Sequence, residues 1–157
     1  MNALDAFETV RPRLHGIANR VTGSAAEADD VVQDTWIRWQ GTDRSVVRDP
    51  SAFLATSTAR LAINVTQSAR ARRETHLGPA APEPADPSGD PAIAAERAET
   101  VELALRTLTQ KLNPSERTAF VMREAFDYPY REISHVVGVS EANARQLVTR
   151  ARQRLAA

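Results

Sequence analysis

YREISHVVGVSEANARQLVTRARQRL, residues 130–155, decides the fold because it contains two helical patterns separated by a single glycine. Apolar side chains recur at helical spacing over 130–137, and Gly138 then stops the pattern. Ser140 is a strong N-cap residue and Glu141 is an acidic first-turn residue, so a second helix is expected to begin here. Two helices joined by a tight glycine turn predict a helix-turn-helix unit.

The second of these helices separates an apolar stripe from a polar face. Amide and guanidinium groups on such a face can bind base edges and phosphates, so the pattern predicts a DNA-contacting helix. The alternative is a solvated helix end whose arginines interact with the C-terminal dipole. The predicted stripe consists of Ala144, Leu147 or Val148, Ala151 and Leu155. The predicted polar face consists of Asn143, Gln146, Arg150 and Arg154, with Arg145, Thr149 and Arg152 beside them.

The first part of the chain also shows helical patterns. Apolar residues over 4–17 recur at three- and four-residue steps, which is typical of an amphipathic helix. Gly23 suits a left-handed helix stop, and Ser24 suits the N-cap of a second helix over roughly 25–40. A third helical pattern covers about 51–72. This region therefore predicts three consecutive helices.

A proline-rich stretch follows. Because prolines are frequent and apolar residues are few, we interpret 74–91 as an extended linker. Helical patterns resume over 92–111, and Asn113 followed by a proline predicts the start of a further helix that runs to about residue 125. No strand pattern appears. The predicted organisation is therefore all-α, with two small helical domains at 1–73 and 92–157 joined by this linker.

The zero net charge of the chain conceals strongly charged segments. The 157 residues include 20 basic and 20 acidic side chains. Residues 24–35 contain four acids and no base, whereas 60–73 contain four arginines and no acid. Segments of opposite charge indicate separate partners for the separate segments.

Composition also argues against several classes of protein. The chain has no cysteine, which excludes disulfides and thiolate metal sites. His15, His76 and His135 belong to no ligand motif, and no nucleophile–base pair or phosphate loop occurs, so neither an enzyme nor a cofactor is expected. No apolar run reaches the ~18 residues of a membrane span, and no signal-peptide pattern is present. A cytoplasmic protein is therefore expected.

Four stretches taken together carry a resemblance to a known family. An extracytoplasmic-function (ECF, group 4) sigma factor is resembled by AEADDVVQDTWIRW at 26–39, DPSAFLATSTARLAI at 49–63, SARARRETHLGPAAPEP at 68–84 and the segment from 112 to 155. The resemblance implies a sigma-2-like domain at 1–73 and a sigma-4-like domain at 92–157. It is nearest to a subgroup that carries a SnoaL-like C-terminal domain. Because the sequence stops two residues after Leu155, a member without that domain is expected.

The resemblance implies a promoter-specificity subunit and assigns its contact residues. The acidic helix would bind the β′ clamp helices of RNA polymerase core, the C-terminal domain would meet the β flap, and an anti-sigma factor would be a further partner. The implied core-binding residues are Asp29, Asp30, Gln33, Asp34 and Trp36. The implied −10 DNA residues are Asp43, Arg44, Ser51, Arg60, Asn64, Arg70, Arg72 and Arg73. The implied −35 DNA residues are Ser140, Glu141, Asn143, Arg145, Gln146, Thr149, Arg150 and Arg154.

One departure from the family pattern keeps two alternatives open. Where relatives show an acidic residue followed by basic ones, this chain has NVTQ at 64–67, which weakens the basic track expected for the −10 element. One alternative is therefore a module that sequesters another transcription factor. The second is a stand-alone helix-turn-helix regulator that binds duplex DNA without polymerase, against which the acidic second helix argues.

Overall fold

The computed structural model describes the backbone of residues 2–75 and 91–157, with side chains over 2–68 and 92–157. These residues form seven α-helices, one 3-10 turn and one π-helical turn, and the described ranges contain no strand. The all-α prediction is thereby confirmed. The helices are α1 (Ala3–Thr22), α2 (Ala25–Gln40), α3 (Pro50–Thr75), α4 (Pro91–Lys111), α5 (Pro114–Phe120), α6 (Tyr130–Val137) and α7 (Glu141–Ala156). The 3-10 turn is Arg44–Val46, and the π-helical turn is Val121–Ala125.

Helix boundaries follow the capping signals closely. Gly23 ends α1 with a φ of 72°, in the left-handed region, and the Ser24 side chain accepts a hydrogen bond from the Glu27 amide at the start of α2. At the start of α5, Asn113 and Glu116 form a complete capping box, in which each side chain accepts a hydrogen bond from the other residue's backbone amide.

Three predicted bounds differ from the structure. The third helix runs over Pro50–Thr75 instead of about 51–72, because Asp49 caps it by accepting a hydrogen bond from the Ala52 amide. The helix predicted to run from 114 to about 125 changes from α-helix to π-helix at Val121. Residues 74–75 of the predicted linker belong to α3 and Pro91 begins α4, while the remainder of the linker lies outside the described residues.

The N-terminal unit, α1–α3, packs around large apolar side chains. Leu14 and Val21 of α1, Val31 of α2 and Leu54 of α3 are buried together. Trp39 completes this core, and its indole Nε1 donates to the carbonyl of Ala3 at 2.9 Å. Since the end of α2 is thereby tied to the beginning of α1, the acidic helix has a fixed place on the unit.

The C-terminal unit, α4–α7, packs directly against the N-terminal unit. Arg117 of α5 donates from Nε to the carbonyl of Val21 at 2.7 Å, and Arg60 of α3 donates to the carbonyl of His135 in α6 at 3.1 Å. Buried apolar side chains of both units form one cluster, which includes Met122 and Ile133. None of the helices in the described ranges combines the length and hydropathy of a membrane span.

Candidate nucleic-acid interface

The predicted helix-turn-helix unit consists of α6, a turn at Gly138 and α7. Gly138 has a φ of 72°, and its amide donates to the carbonyl of Ser134 at 2.9 Å. The Ser134 side chain is buried and donates to the carbonyl of Arg131, so a small residue fits where the two helices approach. Ser140 caps α7 by accepting a hydrogen bond from the Asn143 amide. The turn geometry therefore follows from the glycine and the serine that the sequence places there.

The two faces of α7 divide as the periodicity predicts. The apolar stripe is buried at Ala144, Leu147, Val148 and Ala151 and half-buried at Leu155. All the residues predicted on the polar face are exposed, namely Asn143, Arg145, Gln146, Thr149, Arg150, Arg152 and Arg154. Glu141 at the start of the helix is exposed as well. The helix thus presents amide and guanidinium groups to solvent on the side away from its own core.

The arginines of this polar face differ in what holds them. Arg154 Nε lies 3.2 Å from a carboxylate oxygen of Glu116, whose side chain is completely buried. Arg145 lies over the ring of Tyr130, with its Cζ atom 5.0 Å from the ring centroid. Arg152 pairs with Glu124, and this hydrogen bond raises the pKa of Arg152 above its usual value. Arg154 is thus paired with a buried carboxylate of its own unit, Arg145 rests on an aromatic ring, and Arg150 is exposed.

The loop between α2 and α3 holds two of the predicted −10 residues in local contacts. Asp43 accepts hydrogen bonds from the amide and the hydroxyl of Ser45, which lower the pKa of its carboxyl group. Arg44 donates to the carbonyls of Trp39 and Gln40 at the end of α2 and lies over the Trp39 ring. Both residues shape the loop. Ser51 is half-buried in the first turn of α3.

The remaining predicted −10 residues lie along α3. Arg60 and Asn64 are exposed one turn apart, and Arg60 also makes the hydrogen bond to α6. The side chains of Arg70, Arg72 and Arg73 lie outside the described residues, although their backbone belongs to α3. The described part of the track therefore contains one arginine, and that arginine connects the two units.

The acidic face of α2 comprises Asp30, Gln33 and Asp34, all exposed, with Asp29 beside them. Asp29 is hydrogen-bonded to His15 of α1. Predicted as an aromatic anchor, Trp36 is half-buried, and its ring packs on Phe7 with the centroids 5.0 Å apart.

Sequence reasoning missed the residue that supplies the apolar surface of this face. Ile37 is 56% exposed and follows Gln33 and Asp34 by one helical turn. An isoleucine outside the stripe of buried residues of α2 is the signal that could have identified it.

Sequence reasoning also missed the polar interior of the C-terminal unit. Glu116 and Arg117 are buried, and the cation–π cluster at Tyr130 involves arginines from two segments. The capping signal at 113–116 predicts a contact of Glu116 within its own turn. Nothing in the sequence pattern pairs it with Arg154, which lies far along the chain.

Comparison with known proteins agrees with this architecture. The family model for sigma-70 region 2 matches residues 6–74, and the model for sigma-70, region 4 matches residues 102–155. The ECF RNA polymerase sigma factor SigJ of Mycobacterium tuberculosis is 41% identical over 154 residues, which cover 96% of this chain and 49% of SigJ. The ferric citrate uptake sigma factor FecI of Escherichia coli is 31% identical over 150 residues, covering 92% of this chain and 86% of FecI.

Solved structures show the same fold. The crystal structure of Mycobacterium tuberculosis SigJ superposes with a TM-score of 0.69 at 37% identity, covering 98% of this chain and 53% of that one. RpoE from Bartonella quintana, solved in complex with the anti-sigma factor NepR, gives a TM-score of 0.66 at 20% identity over 94% of this chain and 89% of that one.

The two relatives are covered to different extents by this chain. This chain spans about half the length of SigJ, whereas it covers 86% of FecI. Both halves of the fold match sigma-70 region models, and the relatives are named as sigma factors. With a helix-turn-helix in the C-terminal unit and an acidic helix in the N-terminal unit, the chain belongs to the ECF sigma factors of the sigma-70 family.

Proposed function

We propose that this chain is a promoter-specificity subunit that binds core RNA polymerase, directs it to particular promoters and aids promoter opening. The observation that carries the proposal is the presence, on one chain, of two exposed surfaces of opposite charge. The acidic face lies in the region 2 match, and the polar face of α7 lies in the region 4 match. Surfaces of opposite charge suit two different partners, a basic protein surface and DNA. The proposed activity is binding and involves no covalent chemistry.

The acidic face of α2 is the proposed contact to the β′ clamp helices. α2 contains four acids and one arginine, a net charge of −3. Asp30 and Asp34 would attract a basic coiled coil, while Ile37 and the exposed edge of Trp36 would supply the apolar centre of the interface. Asp29 and Gln33 complete the set.

The polar face of α7 is the proposed contact to the −35 element. α7 contains four arginines and one glutamate, a net charge of +3. Asn143 and Gln146 near its N-terminus have the amide groups that bind adenine edges, and Arg145 and Arg150 can bind phosphate or guanine. Ser140, Glu141 and Thr149, the other residues of the proposed set, are exposed as well. Because Arg154 is paired with a buried carboxylate, we propose a structural role for it instead.

The helix α3 is the proposed contact to the −10 element, through Arg60, Asn64 and the arginines of 70–73. In the described structure Arg60 donates to α6. This hydrogen bond uses one of the five N–H donors of a guanidinium, and the others remain for contacts to DNA. Asp43 and Arg44 would act by holding the shape of the loop, with Ser51 at its end.

The same proposal extends to a regulatory partner, the location and the domain organisation of the chain. An anti-sigma factor is a partner, because the structurally similar RpoE was solved in complex with one. The location is the cytoplasm, since RNA polymerase core acts there. The division into domains at 1–73 and 92–157, with the intervening linker and a β-flap contact, is part of it as well.

Run-off transcription on sheared genomic DNA tests the function as a whole. Core polymerase is assayed with and without this chain, and discrete new start sites are expected. Tight binding to core without any new start site would favour the sequestering module. Binding of the chain to palindromic duplex DNA without core, and no binding to core, would favour the stand-alone regulator.

A matched pair of charge reversals tests the polymerase contact. Asp30→Lys with Asp34→Lys is expected to weaken core binding by roughly tenfold or more, because both reversed charges face the basic partner. Glu96→Lys with Glu99→Lys changes the net charge equally on the exposed part of α4 and should leave core affinity within about twofold. Equal losses in both variants would show that net charge, and not this face, determines binding.

A further inference from the structure

Tyr130 is the first residue of α6, and two guanidinium groups lie against its ring. The Cζ atom of Arg123 is 4.4 Å from the ring centroid, and the Cζ atom of Arg145 is 5.0 Å from it. Arg123 comes from the π-helical turn and Arg145 from the second turn of α7. One aromatic ring thus connects three segments of the C-terminal unit, namely the π-helical turn, α6 and α7. Both distances lie within the ~6 Å over which a cation is attracted to the face of a ring.

The local fold explains why the ring stays in place. Tyr130 is half-buried after Pro129, at the fixed beginning of α6. Arg123 donates to the carbonyl of Tyr128 at 3.2 Å, so its guanidinium is also anchored on the neighbouring loop. Arg145 is exposed, and of these groups it alone belongs to the polar face of α7. The ring therefore provides a rigid support for a flexible side chain on the proposed DNA-binding face.

The charges around the ring are unbalanced. Arg123, Arg145 and Arg152 lie near Tyr130, and Glu124 is the carboxylate that pairs with Arg152. Three guanidinium groups and one carboxylate leave a net charge of +2 in this group. Like charges repel, so such a grouping favours a bound anion. The ring quadrupole offsets part of the repulsion in the free protein.

From this geometry we infer that Tyr130 is a positioning residue for promoter binding, which holds Arg145 in the orientation in which Arg145 meets DNA. The inference rests on the proposed function. A free arginine loses rotamer freedom when it is immobilised at an interface, and that loss weakens binding. An arginine already supported by a ring loses less. Tyr130 therefore increases DNA affinity through Arg145 without contacting a base.

A double-mutant cycle on the polymerase holoenzyme measures this coupling. The probe is a duplex that carries the −35 element mapped by the run-off experiment, and binding is followed by fluorescence anisotropy. Tyr130→Leu keeps an apolar side chain but removes the π face, and we expect affinity to fall about three- to tenfold. In the Arg145→Ala background the same change should have almost no further effect. Tyr130→Phe keeps the ring and should bind within about twofold of the wild type.

Two readouts separate positioning from a direct contact. Tyr130→Leu should leave the slope of log affinity against log salt concentration unchanged, because no phosphate charge pair is lost. Arg145→Ala should lower that slope by about 1 if Arg145 meets a phosphate. Arg150→Ala, on the same face but away from the ring, should combine with Tyr130→Leu by simple multiplication of the two losses.

The outcomes distinguish the inference from the function on which it rests. If Arg145→Ala leaves DNA affinity unchanged, the proposed role of α7 at this position is wrong. A second outcome is that Arg145→Ala weakens binding while the two losses of affinity, from Arg145→Ala and from Tyr130→Leu, simply multiply in the double mutant. In that case the function stands and the positioning role is wrong. Should Tyr130→Leu fail to fold, Arg145→Lys serves instead. It keeps the charge but loses the planar stack, so affinity should fall while the slope against salt concentration stays unchanged, and unchanged affinity would overturn the positioning role.

Discussion

The N-terminal and C-terminal units bury different kinds of side chain, although both are built from helices. The interior of α1–α3 is made of large apolar groups such as Leu14, Ile17 and Trp39. The interior of α4–α7 includes the side chains of Glu116 and Arg117, which are 0% and 2% exposed. Helices as short as α5 and α6 bury too little apolar surface for stability by burial alone. The C-terminal unit therefore adds buried polar contacts at the ends of helices to its apolar core.

Arg117 shows how these contacts work. Its guanidinium donates to the carbonyl of Val21 at the end of α1 and to the carbonyls of Thr109 and Leu112 at the end of α4. Carbonyls at a helix C-terminus have no partner within the helix, and a cation there also interacts favourably with the helix dipole. One buried side chain thus caps two helices from different units.

The largest effect is expected in the apolar core of the N-terminal unit. Trp39→Ala removes a buried ring and the hydrogen bond to the carbonyl of Ala3, and we expect a loss of about 3–5 kcal/mol in the free energy of unfolding. Denaturant unfolding followed by circular dichroism measures it. Trp36→Ala is the matched control, because that ring is half-buried, and it should cost less than half as much. Equal losses of unfolding free energy would mean that the burial of a ring does not determine its contribution to the stability of this unit.

The next largest effect is expected where the units meet. Arg117→Met keeps much of the side-chain length but removes the donors, so three carbonyls lose a charged partner. We expect a loss of about 2–3 kcal/mol in the free energy of unfolding. Arg123→Met is the control, since Arg123 is only half-buried and makes one hydrogen bond within its own unit. If both variants lower the free energy of unfolding equally, the buried hydrogen bonds of Arg117 are not a special source of stability.

The sequence predicts contacts between near neighbours and does not predict the polar contacts between distant residues. Periodicity and capping signals predict the helices, the buried stripe of α7 and its exposed polar face, because each depends on neighbours within one or two turns. The pairs Arg117–Val21 and Arg154–Glu116 join residues far apart in sequence, and no local pattern encodes them. The same holds for Arg60, whose contact with α6 depends on how the units pack.

Two glycines with the same backbone geometry differ in what surrounds them. Gly23 and Gly138 both have a φ of 72°, so alanine at either position meets the same strain, about 1–2 kcal/mol. A Cβ atom at Gly23 would also lie 2.6 Å from the Thr109 hydroxyl of α4, whereas nothing lies within 4 Å of one at Gly138. Gly23→Ala is therefore expected to lower the midpoint of denaturant unfolding further than Gly138→Ala.

Thr109→Ala provides the control for this pair. It removes the hydroxyl that the new Cβ would meet, so Gly23→Ala in that background should cost about as much as Gly138→Ala alone. A cost at Gly23 that is unaffected by Thr109→Ala would show that the two units are not in contact at this point in solution.

The smallest effect is expected for an ion pair in which both side chains are exposed. Glu102 and Arg106 lie one turn apart on α4 at 2.9 Å, with 64% and 58% of their side chains exposed. Arg106→Ala should cost only about 0.2–0.5 kcal/mol in the free energy of unfolding, because water screens the pair and both side chains lose rotamer freedom to form it. The cost should fall in 1 M salt, where the Debye length is about 3 Å and so comparable to the separation of the pair, while that of Arg117→Met should persist. A salt-resistant cost at Arg106 would mean that an exposed contact withstands screening as well as a buried one, and burial would then not explain why the two units differ.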